Sequence, residues 1–333
     1  MTYSILVTGG AGFIGSHVVE SLLKSNHNVI VYDNFSSGHL DNLPAEKPDN
    51  LKIIEGDILD YENLYSSMKG VNYVSHHAAQ LEIFLAQNDP LRDLHVNTIG
   101  TLNVLRAAKQ NNVSKVVNIS SACVYGQATG HTSENDTLTP NWDYGVSKLA
   151  AEKYAKIFND YKGLPTVSLR YGIVYGEREW YRRVLPIFLK RVINNQAPVV
   201  FGEGDQVRDF IYVKDVVEFH NICMFDSRAN GFSFNVGTGI ATTVKQLADT
   251  ILKVSKLDLD VIYENTREGE FSSIIRGKKR NSAELGTMLL NMTQAFNILG
   301  WKPATTLEEG LLNELLWASS NLDKWDTIFS TQW

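Results

Sequence analysis

Cysteine is almost missing from these 333 residues: only Cys123 and Cys223 occur, far apart. That excludes a disulfide framework and a cysteine-built zinc site, and it suits a reducing compartment. No uninterrupted apolar stretch approaches the roughly 18–20 residues that cross a bilayer. Basic residues are outnumbered, 31 against 37 acidic ones, and the net charge of −6 speaks against a dedicated nucleic-acid binder. The amino terminus, Met1-Thr2-Tyr3-Ser4-Ile5, shows neither the charged segment nor the cleavage site of a secretory leader. Internal repeats and low-complexity segments are missing too. These absences predict a soluble, cytoplasmic, globular protein with no nucleic-acid partner, no membrane partner and no bound metal. A chain this long buries about three quarters of its unfolded surface, so its core needs no covalent staple.

What is present is alternation. Apolar runs at Tyr3–Thr8, Asn28–Asp33, Leu51–Glu55, Tyr73–Ser75, Lys115–Ser120 and Thr166–Tyr171 predict strands. Between them, apolar residues at helical spacing predict helices over Phe13–Lys24, Tyr61–Met68, Val96–Gln110 and Tyr144–Tyr161. This is the pattern of an α/β protein with a doubly wound parallel sheet. The second half is less regular. Helices are expected at Val184–Asn194, Val216–Phe225, Val244–Lys253 and Leu307–Ser319, with short strands at Val199–Phe201, Phe210–Ile211, Ser233–Val236 and Asp260–Tyr263. A domain boundary near Arg170 follows from the end of the alternation. The basic run Arg276-Gly277-Lys278-Lys279-Arg280 inside the polar stretch Asn265–Met288 fits a solvated loop or an anion-binding flap.

Thr8-Gly9-Gly10-Ala11-Gly12-Phe13-Ile14-Gly15 follows the first strand and opens the first helix. Gly9, Gly12 and Gly15 let the backbone turn tightly, approach a pyrophosphate and pack the helix on its strand. The helix start at Phe13 and Ile14 offers unpaired N–H groups and the positive end of a dipole. In this strand–turn–helix setting the motif predicts dinucleotide binding. Asp33 ends the second strand, 18 residues beyond Gly15. Its carboxylate suits both hydroxyls of the adenosine ribose and would repel a 2′-phosphate. Asn34-Phe35-Ser36-Ser37 supplies no arginine to offset that repulsion, so NAD is favoured over NADP. Asp57, after the third strand, suits the adenine amino group.

Tyr144-Gly145-Val146-Ser147-Lys148 stands at the head of a predicted helix. The four-residue spacing puts phenol and ammonium on one face. A neighbouring cation stabilises phenolate, which would bring Tyr144 toward the working pH as a general base. The same lysine can reach the nicotinamide ribose. Upstream, the fifth strand ends in Ser120-Ser121-Ala122-Cys123-Val124-Tyr125-Gly126, at the sheet edge where doubly wound proteins do their chemistry. A serine hydroxyl there can bridge a substrate oxygen and the phenol; a plain capping serine is the alternative.

With these residues in view, the chain resembles the extended short-chain dehydrogenases/reductases of the nucleotide-sugar epimerase/dehydratase family. TGGAGFIG, VYDNFSSG, GDILD, HHAAQ, NISSACVYG, YGVSK, LRYGIVYG, VFGEGDQVRDFIYVKDV, FNVGTG and LGWKPATTLEEGL follow one another in the family's order. The resemblance implies a Rossmann domain over residues 1–170 and a smaller C-terminal α/β substrate domain over 171–333, some of whose segments return to the first. It implies Ser121, Tyr144 and Lys148 as catalytic residues. Asp33, Asn34, Ser37, Gly38, Asp57, Ile58, Ala78, Ala79, Gln80, Asn97 and Tyr171 would join the glycine turn, Tyr144 and Lys148 around NAD. Arg208 and Arg267 would hold the diphosphate of a nucleotide-sugar substrate, a UDP-sugar being favoured. The family chemistry is oxidation of a sugar carbon by NAD to a transient ketosugar and its reduction from the other face. A homodimer paired through the helices Val96–Gln110 and Tyr144–Tyr161 is implied as well.

Several positions depart from the family. Ala122-Cys123 stands where the 4,6-dehydratases carry Asp-Glu and the decarboxylases usually carry Glu, which demotes both reactions. Cys123 itself matches the acid/base cysteine of 3,5-epimerases, or is a packing thiol. Ile173 and Glu177 replace the family's usual Asn and Pro, and Glu177-Arg178-Glu179-Trp180-Tyr181-Arg182-Arg183 is unusually charged and aromatic. The expected activity is C4 epimerisation of a UDP-sugar. The alternatives are C3/C5 epimerisation through Cys123 and a non-catalytic NAD-binding scaffold.

Overall fold

Strands that are apolar along their whole length must be covered on both faces, and here they are. The computed structural model describes residues 1–81, 83–179, 183–280 and 286–325. Its seven-stranded sheet is ordered Ser233–Val236, Thr166–Tyr171, Lys115–Ser121, Tyr73–His76, Ser4–Thr8, Asn28–Asp33 and Leu51–Glu55. Every neighbouring pair in it is parallel. Counted along the chain these strands lie 3-2-1-4-5-6-7, the doubly wound arrangement of a Rossmann sheet. Every residue of Lys115–Ser121 and Thr166–Tyr171 is buried.

One face packs Val18, Val19 and Leu22 of the helix Phe13–Lys24 with Val216 and Phe219 of Val213–Phe225. The other packs Leu64, Val104 and Leu105 with Ala155 and Phe158 of the helix Asp143–Lys162. The strand order reverses between Ser4–Thr8 and Tyr73–His76, which opens a crevice at their carboxyl ends. A polar lock closes the floor beneath it: Thr8 Oγ1 and His76 Nδ1 lie 2.7 Å apart, and His76 Nε2 lies 2.9 Å from Thr101 Oγ1.

The expected helix Val96–Gln110 is present, with its first turn wound as a π-helix and a short helix running into it. A short helix, Pro90–Leu94, is capped by Asp89, whose Oδ1 accepts from Arg92 N at 3.0 Å. A π-helical turn, His95–Gly100, follows, and a regular helix resumes over Thr101–Gln110. Gly100 is the point of closest approach: a β-carbon there would meet Ile58 Cδ1 at 2.4 Å. Such turns re-aim side chains at functional sites, and this one turns Asn97 into the protein.

Beyond the main sheet, the expected strands Val199–Phe201 and Phe210–Ile211 are found, the expected Asp260–Tyr263 is found as Ile262–Glu264, and further short strands join them. Thr242–Thr243, Val207–Arg208, Thr287–Leu290 and His131–Thr132 form a four-stranded sheet. Ile173–Tyr175 pairs with Phe210–Tyr212, and Val199–Phe201 with Ile262–Glu264. The unexpected ones, Thr242–Thr243, Val207–Arg208, Thr287–Leu290, His131–Thr132 and Ile173–Tyr175, are too short to carry a readable alternation. The basic run folds into a hairpin with Phe271 bridged to Lys279.

Candidate active site

Three glycines build the turn below the crevice. Gly9 has φ +66°, and a β-carbon on it would lie 2.6 Å from Ala78 N; one on Gly15 would lie 2.2 Å from Gly9 O. Side chains at either position would drive strand, helix and the Ala78 loop apart. Gly12 caps the helix Phe13–Lys24 without a side-chain bond, so the first-turn N–H groups at Phe13 and Ile14 have no cap of their own. Asp33 closes the turn from the next strand: Oδ2 accepts from Ala11 N and Oδ1 from Phe35 N, both at 2.9 Å. Burial nonetheless pushes its carboxyl above the ordinary carboxylate range, the two hydrogen bonds opposing the shift. Gly38 lies against it, since a β-carbon there would sit 2.9 Å from Asp33 Oδ2.

Further along the crevice, Asn34 Nδ2 donates to Asp57 Oδ2 at 2.9 Å, and Leu59 N donates to Asp57 Oδ1 at 2.8 Å. Ser36 N bonds Asn34 Oδ1, which holds the loop carrying Ser37. Ile58 packs its side chain beneath Gly100 and gives its carbonyl to Asn103. Ala78 N donates to Thr8 Oγ1 at 3.3 Å, at the start of the loop that runs through Ala79 to Gln80. Asn97 spends its amide inside the protein: Oδ1 accepts from Gln80 N at 2.8 Å, and Nδ2 lies within bonding distance of Gln80 O, Asp93 Oδ1 and Ser147 Oγ. It therefore fixes the Gln80 backbone at the crevice wall and ties that wall to the helix Asp143–Lys162. This set fits NAD: a side-chain-free cradle that would take a pyrophosphate, a buried carboxylate that would suit a ribose and a polar pair beyond it.

Tyr144 and Lys148 sit one turn apart at the head of the helix Asp143–Lys162, and both are buried. Ser121 ends the strand Lys115–Ser121 and accepts from Cys123 N at 3.2 Å, capping a short 3-10 turn over Ala122–Val124. Helix and strand end meet at Gly145, where a β-carbon would lie 2.6 Å from Cys123 O. Tyr144 and Cys123 then share one small core with Trp142, Tyr125 and Leu290. Burial lowers Lys148 to about 8, while Asp93 and Glu152 favour its charge. His76, lowered to about 3, and His77, also lowered, stay neutral beside it, chiefly because they are buried.

Cys123 is buried, and burial pushes its thiol up; Arg183 and Arg208 pull the other way and do not overcome it. Arg208 thus acts on Cys123 electrostatically from an inner strand of the four-stranded sheet, between Thr242–Thr243 and Thr287–Leu290. Arg267, by contrast, stands exposed after the strand Ile262–Glu264, its backbone N–H on Glu270. Tyr171 packs into the main core with its hydroxyl buried and no hydrogen-bond partner among the described residues. In the charged segment, Glu177 accepts from Tyr212 and Lys214, and Arg178 reaches Ser16, His17 and Glu20 of the first helix. Trp180, Tyr181 and Arg182 lie outside the described residues.

Two groups escaped the sequence analysis. Asp209, beside Arg208, accepts from Thr238 N, Thr238 Oγ1, Gly239 N and Leu290 N at 2.6–3.2 Å, joining three segments behind the arginine. Glu152 lies four residues beyond Lys148, fully buried and paired to Arg170. An acid at that spacing after a buried lysine was the available signal for Glu152.

The sequence model of the NAD dependent epimerase/dehydratase family matches residues 5–237. UDP-glucose 4-epimerase of Mycolicibacterium smegmatis is 33% identical over 315 residues, 92% of this chain and 95% of that protein. Among solved structures, UDP-glucose 4-epimerase of Thermotoga maritima with UDP-glucose superimposes with a TM-score of 0.85 at 34% identity, covering 96% of this chain and 99% of the other. A different activity stands close by: dTDP-D-glucose 4,6-dehydratase of Mus musculus is 30% identical over 331 residues, 96% of this chain and 90% of its own length. With the cradle, the ribose carboxylate and the tyrosine–lysine helix in place, the chain belongs to the NAD-dependent epimerase/dehydratase family, and its cofactor is NAD.

Proposed function

We propose that this enzyme inverts C4 of a UDP-sugar through a transient 4-keto sugar. The observation that carries this is local. The tyrosine–lysine helix is pressed through Gly145 onto the Ser121 strand end, and the two residues that follow, Ala122 and Cys123, offer no carboxylate. Expelling water from a hexose needs an acid and a base beyond Tyr144. Without a carboxylate at either position, proton transfer at the sugar hydroxyl is the chemistry left to the site.

The bound cofactor supplies reversible two-electron redox chemistry at the sugar carbon. Tyr144 Oη takes the proton of the C4 hydroxyl and later returns it. Ser121 Oγ bridges the C4 oxygen and the phenol. Lys148 Nζ, as ammonium, favours phenolate over phenol at Tyr144. Arg208 holds the diphosphate, a task suited to a guanidinium fork, with Asp209 fixing the backbone behind it. Arg267 serves the same diphosphate from the turn beyond Glu264. The raised thiol of Cys123 favours a packing role over acid/base work at C3 or C5.

The active unit in this proposal is a homodimer. Val146, Tyr154, Ile157 and Tyr161 share one exposed face of the helix Asp143–Lys162, and Leu91, Leu94 and Ile99 are exposed on the neighbouring helical segment. Leu105, by contrast, is buried in the chain's own core. An apolar stripe on two adjacent helices suits the same stripe on a second copy. Incubation with UDP-glucose, UDP-N-acetylglucosamine and UDP-glucuronic acid, with products identified by NMR, tests the reaction. Interconversion of one C4 pair is expected; accumulation of a 4-keto-6-deoxy sugar would replace this proposal with dehydration.

A further inference from the structure

The segments that carry Ser121, Lys148, Tyr125 and the edge strand Ser233–Val236 converge on one carboxylate, that of Glu152. Glu152 Oε2 accepts from Ser120 Oγ at 2.9 Å, one residue before Ser121, and from Arg170 Nε at 3.0 Å. Its Oε1 accepts from Arg170 NH2 at 2.5 Å and from Ser233 Oγ at 3.1 Å. Arg170 carries the network on, donating through NH1 to Tyr125 Oη at 2.6 Å and to Glu134 O at 3.2 Å. Tyr125 donates in turn to Asn235 Oδ1 at 2.7 Å. Glu152 and Arg170 are each 3% exposed, so water cannot stand in for any partner.

A buried ion pair is weak evidence for stability, because the cost of desolvating two charges offsets much of their attraction. A pair kept at this place has a second effect, which is to fix geometry and charge. Glu152 lies one helical turn beyond Lys148, itself one turn beyond Tyr144, so the three side chains follow one stripe of the helix. We propose that Glu152, clamped by Arg170, is a positioning residue of the catalytic set: it ties the Tyr144–Lys148 helix to the strand end that bears Ser121 and keeps Lys148 an ammonium. This rests on the assignment of Ser121, Tyr144 and Lys148 made above.

Among the described residues, the groups that act on Lys148 are Glu152 from its own helix, Asp93 from Pro90–Leu94, and His76 and His77 from the end of the strand Tyr73–His76, with the Arg170 cation paired to Glu152. Both histidines stay neutral, so Asp93 and Glu152 are the anions that favour the charged lysine. Substituting Glu152 by Gln keeps the shape, leaves one oxygen to accept two of the four hydrogen bonds, and removes one of those two charges.

The experiment uses the NAD-loaded enzyme with UDP-glucose as probe, over a pH series, with thermal midpoint and bound NAD measured for every variant. In E152Q the alkaline limb of kcat, where Lys148 loses its proton, should move about one unit toward neutral, with bound NAD unchanged. E152D keeps the charge and withdraws the carboxylate from Ser120. It should hold the alkaline limb and lower kcat about tenfold, which keeps the test open if E152Q fails to fold. A merely structural role would lower the thermal midpoint of both variants and leave kcat and its pH limb per folded enzyme at the unsubstituted values; that result overturns the proposal. Y144F separates the two layers. Turnover that survives Y144F overturns the catalytic set and this tie together. Turnover lost in Y144F and untouched in E152Q and E152D overturns the tie alone.

Discussion

Gly145 and the carbonyl oxygen of Cys123 stand so close that a β-carbon on the glycine would lie 2.6 Å from that oxygen. The contact brings the first turn of the Tyr144–Lys148 helix against the strand end that bears Ser121. Alanine is the better helix former by about 1 kcal/mol, so glycine here serves close approach rather than helix stability. Overpacking costs about 1–3 kcal/mol, and a β-carbon at this point also meets Pro140 Cβ at 2.9 Å. Gly145→Ala should lower the thermal midpoint and reduce kcat more than KM, because the displaced parts are the reacting ones. Steady-state kinetics beside a melting curve check both.

Tyr144→Phe keeps the ring in its small core with Cys123 and Trp142 and removes the proton carrier. Turnover should fall at least about 100-fold, the usual contribution of a positioned acid/base, with nucleotide binding little changed. Turnover near that of the unsubstituted enzyme would remove Tyr144 from the reaction.

The protein should purify with NAD bound, and Asp33→Ala should weaken that binding. The pH dependence has a definite sign. Asp33 is raised above its ordinary value by burial, and the form proposed to bind the ribose is the carboxylate. NAD affinity should therefore hold above that raised value and fall as pH drops through it, earlier than an exposed aspartate would give. Titration of NADH fluorescence across pH reads this directly; a stronger affinity for NADP would contradict the role of Asp33.

Product formed in deuterated water should carry no carbon-bound deuterium if inversion is confined to C4, since no enediol forms. Cys123→Ser should be tolerated, in keeping with a thiol that burial holds neutral. Deuterium at C3 or C5, lost in Cys123→Ser, would replace C4 epimerisation with the cysteine-based reaction.

Tyr161 is 83% exposed and Val146 53% exposed on one helix face. The double substitution Val146→Asp and Tyr161→Asp should convert the proposed dimer to a monomer in light scattering at micromolar concentration, with the fold retained by circular dichroism. A monomeric parent protein at that concentration would count against the pairing.

The parallel sheet and the dinucleotide turn were legible because their signals are local. Apolar runs such as Ser4–Thr8 and Thr166–Tyr171 are buried on both faces, and the turn's glycines are demanded by contacts within a few residues or one strand away. The order Tyr144–Lys148 on one helix face follows from helical spacing alone. Only the tertiary structure decided the rest, because the causes lie far apart in the chain. Gly100 lets its helix lie close against Ile58, a contact that no helical spacing reveals. Burial, which no spacing reveals, raises Cys123 and Asp33 and lowers Lys148 to about 8. The sequence left Cys123 open to an acid/base role beside the favoured packing thiol; its enclosure by Tyr144, Trp142 and Leu290 adds to the case for the neutral thiol. The short strands Val207–Arg208, His131–Thr132 and Thr287–Leu290 have too few residues to show a period, and they exist because each finds a partner. Sequence determined which chemistry the chain could hold, and long-range packing decided which side chains meet and in what charge state.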